Sequence, residues 1–475
     1  MTEILRRYPI LLLLVPYLSG LYLGPGVLLL WSAGAALRLR AFSERFPRQA
    51  AWASVMILMA GVGALLRPAP LAIRAQDRLV QVTGRVTDGP WPAALGGGSI
   101  FTLEIRGRNP APSPPRQRAY VITRGAPMEG LEPGTLVSFP ARSVVDASGR
   151  CLLRTHTALI QIVSLAPSRS PARLVYRCRR NLGATLRRSL SRTVAGFYSS
   201  ILLGIPGSAD RELKELFQET GTRHLLAISG LHVGFVLLAL ASLLSLVLEP
   251  GWCKGAFLAI VLVMLCFLTG ARTPVIRAVL TGMLFVISSS AGRAVSPVAI
   301  LLAAGTTILI LEPRGLEEIS FQLSFAGYGS ILLFLEWESA LTKRLGRWPR
   351  RLVRTAGVSC AAWCGTAPLT VFHFGHTVVA APCINLLVMP LFGMLLCLGY
   401  LHLMLCLILH PAARRISPLV ETATQLFFRY LDILADIFAG PSPLPQPSAC
   451  SVSLFYMALF AALILPRPSR SRISR

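Results

Sequence analysis

Between Thr220 and Gly234 the chain reads Thr-Gly-Thr-Arg-His-Leu-Leu-Ala-Ile-Ser-Gly-Leu-His-Val-Gly. His224, Ser229 and His232 are the groups in this stretch able to move a proton or attack an electrophile, and apolar residues surround them. In a bilayer, two imidazoles and a hydroxyl are tolerated where they face protein or water. Two arrangements meet that demand. Gly230 and Gly234 form a small-residue pair that lets a neighbouring helix approach closely. Alternatively, Ser229 and Gly230 unwind the helix and open backbone groups and His232 to a water-filled cavity. A membrane-embedded hydrolase using Ser229 or His232 would need a paired base or an oriented carboxylate, and the nearby sequence offers neither. No carboxylate or thiolate stands beside His224 or His232, so no metal site and no cofactor are expected.

Other polar residues fall inside apolar runs. Arg272 and Arg277 flank Pro274, which breaks a helix, so their charges reach either lipid headgroups or an aqueous vestibule. Gln322 and Ser324 head a span and donate either to a pore lining or to a neighbouring helix. Asn385, between Pro382 and Pro390, predicts a broken, re-entrant helix, a form tolerated only where it lines a cavity or is buried in protein. Glu421, Gln425, Arg429, Asp432 and Asp436 share one narrow stripe at about 100° per residue. That stripe must lie in the membrane interface or turn to a protein or aqueous interior, where arginines would pair with it. Most of the ten cysteines sit in apolar segments as small hydrophobes, without zinc or haem spacing. Cys151 and Cys178, outside those segments, are a candidate disulfide in an oxidising compartment.

These groups must be positioned by membrane helices. The chain has 475 residues, 53% hydrophobic and only 14% charged, which excludes an ordinary soluble protein. Apolar runs fall in two blocks, Tyr8 to Leu66 and Leu225 to Leu465. The start is not expected to be a cleaved signal, because apolar sequence resumes at Ala51. Basic clusters in short loops pin both termini to the cytoplasmic side of the inner membrane. The expected fold is a polytopic α-helical membrane protein of about twelve crossings with an external small β-barrel. Its parts are N-terminal helices 1–66, a barrel 67–170, basic linker helices 171–222, a membrane domain 223–465 and a basic tail 466–475.

Period-2 alternation predicts five strands, over 79–86, 100–105, 119–122, 135–139 and 158–163, as in a small barrel. From Pro171 the pattern turns helical and basic, predicting an amphipathic helix on the barrel or on a membrane. The formal charge of +26 then divides. The segment from Arg67 to Arg223 holds 23 Lys and Arg against 10 Asp and Glu, a surplus of +13, or half the total. Topology does not call for positive charge on that side, whereas counterion release on binding phosphates does. Arg173, Arg177, Arg179, Arg180, Arg187 and Arg188 are the candidate phosphate contacts, with Trp91 and Tyr120 as base-stacking candidates. Anionic lipid is the competing partner for this helix.

The run from His224 to Gly234 resembles the signature of the ComEC family of inner-membrane competence proteins. The similarity continues through Arg272 to Ala278, Ser320 to Phe325 and Ala381 to Pro390, in the family's order, and the external region resembles the family's OB-type domain. The resemblance implies a channel for single-stranded DNA in natural transformation. Many members continue into a metallo-β-lactamase-like domain with an HxHxDH motif, which His373-Phe374-Gly375-His376 does not match, so no nuclease activity is expected of this chain. With no P-loop present, the expected partners are single-stranded DNA, membrane lipids, a DNA receptor, a motor ATPase and a separate nuclease-like chain. A small-molecule permease is the alternative transport function.

Overall fold

The computed structural model describes residues 79–464 apart from 93–97, 110–116, 126–127, 129, 146–150, 166, 168–169, 250, 271–272, 293–294, 312–317, 343–345, 439 and 441. The expected N-terminal helices, Arg272 and the basic tail lie outside the described residues. The chain divides into two compact units. The described residues of one are 79–286 and 373–446, and those of the other are 287–372 and 447–464.

The larger unit begins with the barrel: β1 (Leu79–Pro92), β2 (Ser99–Asn109), β3 (Gln117–Arg124), β4 (Leu136–Val145), β5 (Cys151–His156) and β6 (Gln161–Ser164). Strands pair in the order β1-β2-β3-β5-β4, and β4 returns to β1, closing a five-stranded ring with β6 added on β4. β3 and β5 run parallel, from Tyr120 opposite Leu152 to Arg124 opposite His156; every other pairing in the ring is antiparallel. Bulges near Gly84 and Asp88 bend β1 enough to serve both β2 and β4. At Gly84 a Cβ would lie 2.6 Å from the Glu104 carbonyl oxygen, so only glycine fits the first bend. Alternation sends Val82, Val86, Phe101, Leu103, Val121 and Phe139 inward, where they form the barrel core. Phe101 and Phe139 meet edge to face there, their ring centroids 6.3 Å apart.

Four expected strands coincide with β1 to β4. The fifth does not: Thr157–Leu159 forms a 3-10 turn, β6 follows it, and the ring is completed by the unexpected β5.

Helices α1 (Pro171–Ser189), α2 (Arg192–Leu203) and α3 (Arg211–Glu219) follow. Proline at the start of α1 suits the first helical turn, and Arg187 and Arg188 in its last turn suit the negative end of the dipole. Next come α4 (Gly230–Leu244), α5 (Trp252–Leu268) and α6 (Thr273–Ser290), packed through Val233, Leu258, Leu262, Val275 and Val279. The smaller unit contains α7 (Pro297–Leu311), α8 (Ile319–Leu341), most of α9 (Arg347–Phe374) and α12 (Ala449–Ile464). α10 (Ala381–Ile408) and α11 (His410–Phe438) belong to the larger unit.

Among the described residues, Ile319–Glu338 and Ala381–Ile408 are long and apolar enough to cross a membrane. Gly230–Leu244, Trp252–Leu268, Val275–Ser290 and Pro297–Ile310 are apolar but shorter. α10 is continuous: Pro382 lies in its first turn and Pro390 is accommodated within it, so the expected re-entrant break around Asn385 does not form. α11 is amphipathic, burying Val420, Thr424, Phe427, Leu431 and Leu434 while Gln425, Arg429, Asp432 and Asp436 are exposed.

Candidate nucleic-acid interface

The basic helix lies on the barrel, and its buried face runs through Tyr176, Arg179, Gly183 and Leu186. Tyr176 donates its hydroxyl to the Pro90 carbonyl at 3.1 Å, and its ring lies 5.0 Å from that of Trp91. Burial pushes the Tyr176 phenol above its ordinary pKa, with Arg180 acting in the opposite sense.

Arg179 is 1% exposed. It donates to Asp88 Oδ1 at 2.8 Å, to the Leu203 carbonyl at 3.1 Å and to the Gly204 carbonyl at 2.9 Å, and it stacks 4.6 Å from the Trp91 ring. Gly270, at φ +83°, lets the chain beyond α5 pass against the same guanidinium. Arg179 and Trp91 were expected to contact DNA, and burial overturns that expectation for both, since Trp91 is 2% exposed. Buried charge must be paired, and this one is satisfied by barrel, helix end and turn together.

Arg173 and Arg177 both engage Glu132 beside the barrel. Arg180, Arg187 and Arg188 are exposed, and among the described residues no carboxylate pairs with them. Arg180 and Arg187 line a groove of about 380 Å³ between barrel and helix, whose other walls include Pro90, Met128, Glu132 and Tyr176. Tyr120 on β3 is 36% exposed at the surface.

The signature stretch is a helix start. A 3-10 turn over Arg223–Leu225 precedes it, Ser229 is extended, and α4 begins at Gly230. The Ser229 backbone N–H donates to His232 Nδ1 at 3.2 Å, and Ser229 Oγ lies 3.1 Å from the same nitrogen. This is a capping box with histidine in the place usually held by Glu or Gln. His232 is 1% exposed and its ring meets Phe392 edge to face at 5.1 Å, so it faces packed protein. His224 is exposed. Gly230 approaches Ala278 on α6, whereas Gly234 has open space beside it, so the two do not act as one packing pair.

Arg277 is 4% exposed within α6, which places it in the interior of the helix packing. Asn385 is half-buried on α10, its Oδ1 buried without a hydrogen-bond partner among the described residues. Gln322 is half-buried and Ser324 exposed, both on α8 of the smaller unit. Cys178 is an exposed thiol, and the side chain of its candidate partner Cys151 lies outside the described residues.

Two sites escaped sequence reasoning. Glu421, the first member of the polar stripe, accepts from both the backbone N–H and the hydroxyl of Ser191, capping α2 where an arginine partner was expected. Tyr198, buried on α2, donates to or accepts from Thr424 Oγ1 at 3.0 Å and packs closely against Gly399, where no Cβ would fit. Ser191 and Gly399 were the available signals, a helix-capping residue and a glycine inside an apolar helix.

The larger unit is thus that of a helix-bundle protein with an OB-like barrel latched to it by one basic helix. Residues 201–469, more than half of the chain, match the family model described as Competence protein, and the chain belongs to this family of ComEC-type competence proteins. ComE operon protein 3 of Bacillus subtilis is 27% identical over 242 residues, covering 50% of this chain and 29% of that protein. An uncharacterized protein of Aquifex aeolicus is 31% identical over 228 residues, covering 47% of this chain and 50% of its own length. The uncharacterized protein YcaI of Escherichia coli is 27% identical over 176 residues, covering 33% and 22% respectively. The matched region therefore spans half or less of each relative. No solved structure matches the chain. The signature stretch, Arg277, Gln322, Ser324 and Asn385 fall within the family match, while the barrel and α1 precede it.

Proposed function

We propose that this chain passes single-stranded DNA across the cytoplasmic membrane during natural transformation, as a multi-pass protein with the barrel outside and both termini inside. The observation that carries this reading is the exposed row of Arg180, Arg187 and Arg188, without carboxylate partners among the described residues, on a helix fixed to an OB-like barrel in a competence-family chain. Such barrels bind single strands by combining a basic track with aromatic platforms, and Tyr120 supplies an exposed ring. The long apolar helices over Ile319–Glu338 and Ala381–Ile408 and the four shorter ones support the membrane assignment.

In this reading the strand is collected by the basic face of α1 and passes beside the open face of α4 at Gly234. His224, Arg272, Arg277, Gln322, Ser324 and Asn385 belong to the membrane passage or to the packing that shapes it. A receptor delivers the DNA and a motor ATPase drives it. Anionic lipid around the basic helix is the further partner.

The test is entry of fluorescently labelled DNA into the cytoplasm of cells lacking this protein. Surface capture should persist while entry is lost, and the gene carrying Arg180→Glu and Arg187→Glu together should restore entry poorly at normal protein level. Normal entry in the deletion strain would refute the proposal.

A further inference from the structure

We infer that the groove between the barrel and α1 seats a single nucleotide unit, its phosphate between Arg180 and Arg187 and its base against the apolar wall. This deepens the nucleic-acid function proposed above and rests on it.

The charge arithmetic around the groove points to an anion. Arg179 is neutralised by Asp88, and Arg173 and Arg177 share the single carboxylate of Glu132. Arg180 and Arg187 line the same cavity and have no carboxylate partner among the described residues. The Arg180 guanidinium stands over the Tyr176 ring at 5.7 Å, which fixes one fork of donors at the groove wall. Planar guanidinium forks hold phosphate oxygens bidentately, so two of them define a phosphate position better than flexible lysines would.

The shape limits what carries that phosphate. A volume of about 380 Å³ lies in the range of small-molecule sites and exceeds what inorganic phosphate fills. Pro90 and Met128 give the groove an apolar side that a phosphate alone would leave wet, and that the flat face of a base would cover. Glu132 lines the groove already paired with Arg173 and Arg177, so the charge left for an anion is that of Arg180 and Arg187. One phosphate with one flat, apolar-faced attachment is the chemistry of a nucleotide, whether free or one residue of a strand.

The test uses the full chain in lipid nanodiscs and the anisotropy of a short fluorescein-labelled oligodeoxythymidylate at low salt. Arg187→Glu and Arg180→Glu should each weaken binding about tenfold or more and lower the salt dependence by about one counterion. Arg187→Lys, which keeps the charge and loses the fork, should weaken binding by less than Arg187→Glu and leave the salt dependence unchanged, and Arg211→Glu, the same charge reversal outside the groove, should alter binding less than about twofold. Thymidine monophosphate should compete with the strand where equimolar inorganic phosphate does not; competition by the strand alone would mark the seat as a strand subsite that does not take free nucleotide.

Photocrosslinking of a 4-thiothymidine strand to the unmodified protein needs no variant to fold, and should label peptides containing Met128 or Tyr176. Labelling elsewhere, or strand binding by both charge reversals equal to the parent, would overturn the seat while leaving strand binding intact. No strand binding by the parent at low salt would overturn the proposed function as well. Dependence on Arg187 for binding anionic vesicles but not strands would replace the nucleotide with a lipid phosphate and overturn the inference.

Discussion

Arg179 and Asp88 form a buried ion pair, Nη1 to Oδ1 at 2.8 Å, between the basic helix and the first strand of the barrel. The most interior of the arginines in α1 therefore holds the two elements together, while Arg180, Arg187 and Arg188 stand exposed on the same helix. Removing one member of such a pair strands the other in low dielectric, which costs about 3 kcal/mol or more. Arg179→Met should lower the unfolding midpoint of the purified protein markedly. It should leave the salt dependence of oligonucleotide binding by the folded fraction unchanged. A shallower salt slope would mean that Arg179 contacts phosphate after all.

Ser229 and His232 are within hydrogen-bond distance, yet their contact closes a helix end, and among the described residues no carboxylate bonds the other ring nitrogen. Loss of a helix cap costs about 1 kcal/mol. Ser229→Ala should therefore reduce thermal stability slightly and spare DNA entry. Complete loss of entry at normal protein level would revive catalysis by the serine.

Glu421 and Ser191 couple α11 to the start of α2 through a carboxylate on backbone and hydroxyl donors. An anion at a helix N-terminus is favoured by the dipole as well as by the hydrogen bonds. Glu421→Gln and Ser191→Ala should each destabilise by about 1 kcal/mol, and the double variant by less than their sum. Additive losses in chemical denaturation would contradict the coupling.

Tyr198 lies against Gly399, and a methyl group at residue 399 would overlap its ring. Both are enclosed, so Gly399→Ala should cost about 1 to 3 kcal/mol by overpacking, read as a lower unfolding midpoint.

Burial pushes the Tyr198 phenol up to about 12. Its contribution to stability is complete below the ordinary tyrosine value near 10 and is lost as pH rises from there through the raised folded value. Tyr198→Phe should be less stable than the parent at neutral pH through loss of the Thr424 hydrogen bond, and should lose less stability between about pH 10 and 12. Parallel curves of melting temperature against pH would refute the assignment.

The barrel was legible because four of its strands alternate cleanly. β5 was not, because its pairing is parallel to a distant strand and its residues, Cys151 to His156, include Arg154, Thr155 and His156 in place of a steady apolar alternation. Arg179 illustrates the harder failure. Tyr176, Gly183, Leu186 and Leu190 recur at helical spacing, and Arg179 sits on that same face, so the period already placed it inside. Counting arginines as one basic surface hid this. The re-entrant helix at Asn385 failed for another reason: proline in a first turn breaks nothing, and Pro390 sits within a helix that neighbours support. The capping role of His232 was encoded in its spacing from Ser229, but histidine stands where Glu or Gln usually marks the motif.

The guanidinium of Arg179 bonds to a barrel strand and to the end of α2, and rests against the turn that follows α5. Mechanically this makes the barrel a lever arm rather than a bead on a string. A load on the barrel surface would reach the ends of α2 and α5 through the Arg179 guanidinium, beside the Tyr176–Pro90 hydrogen bond.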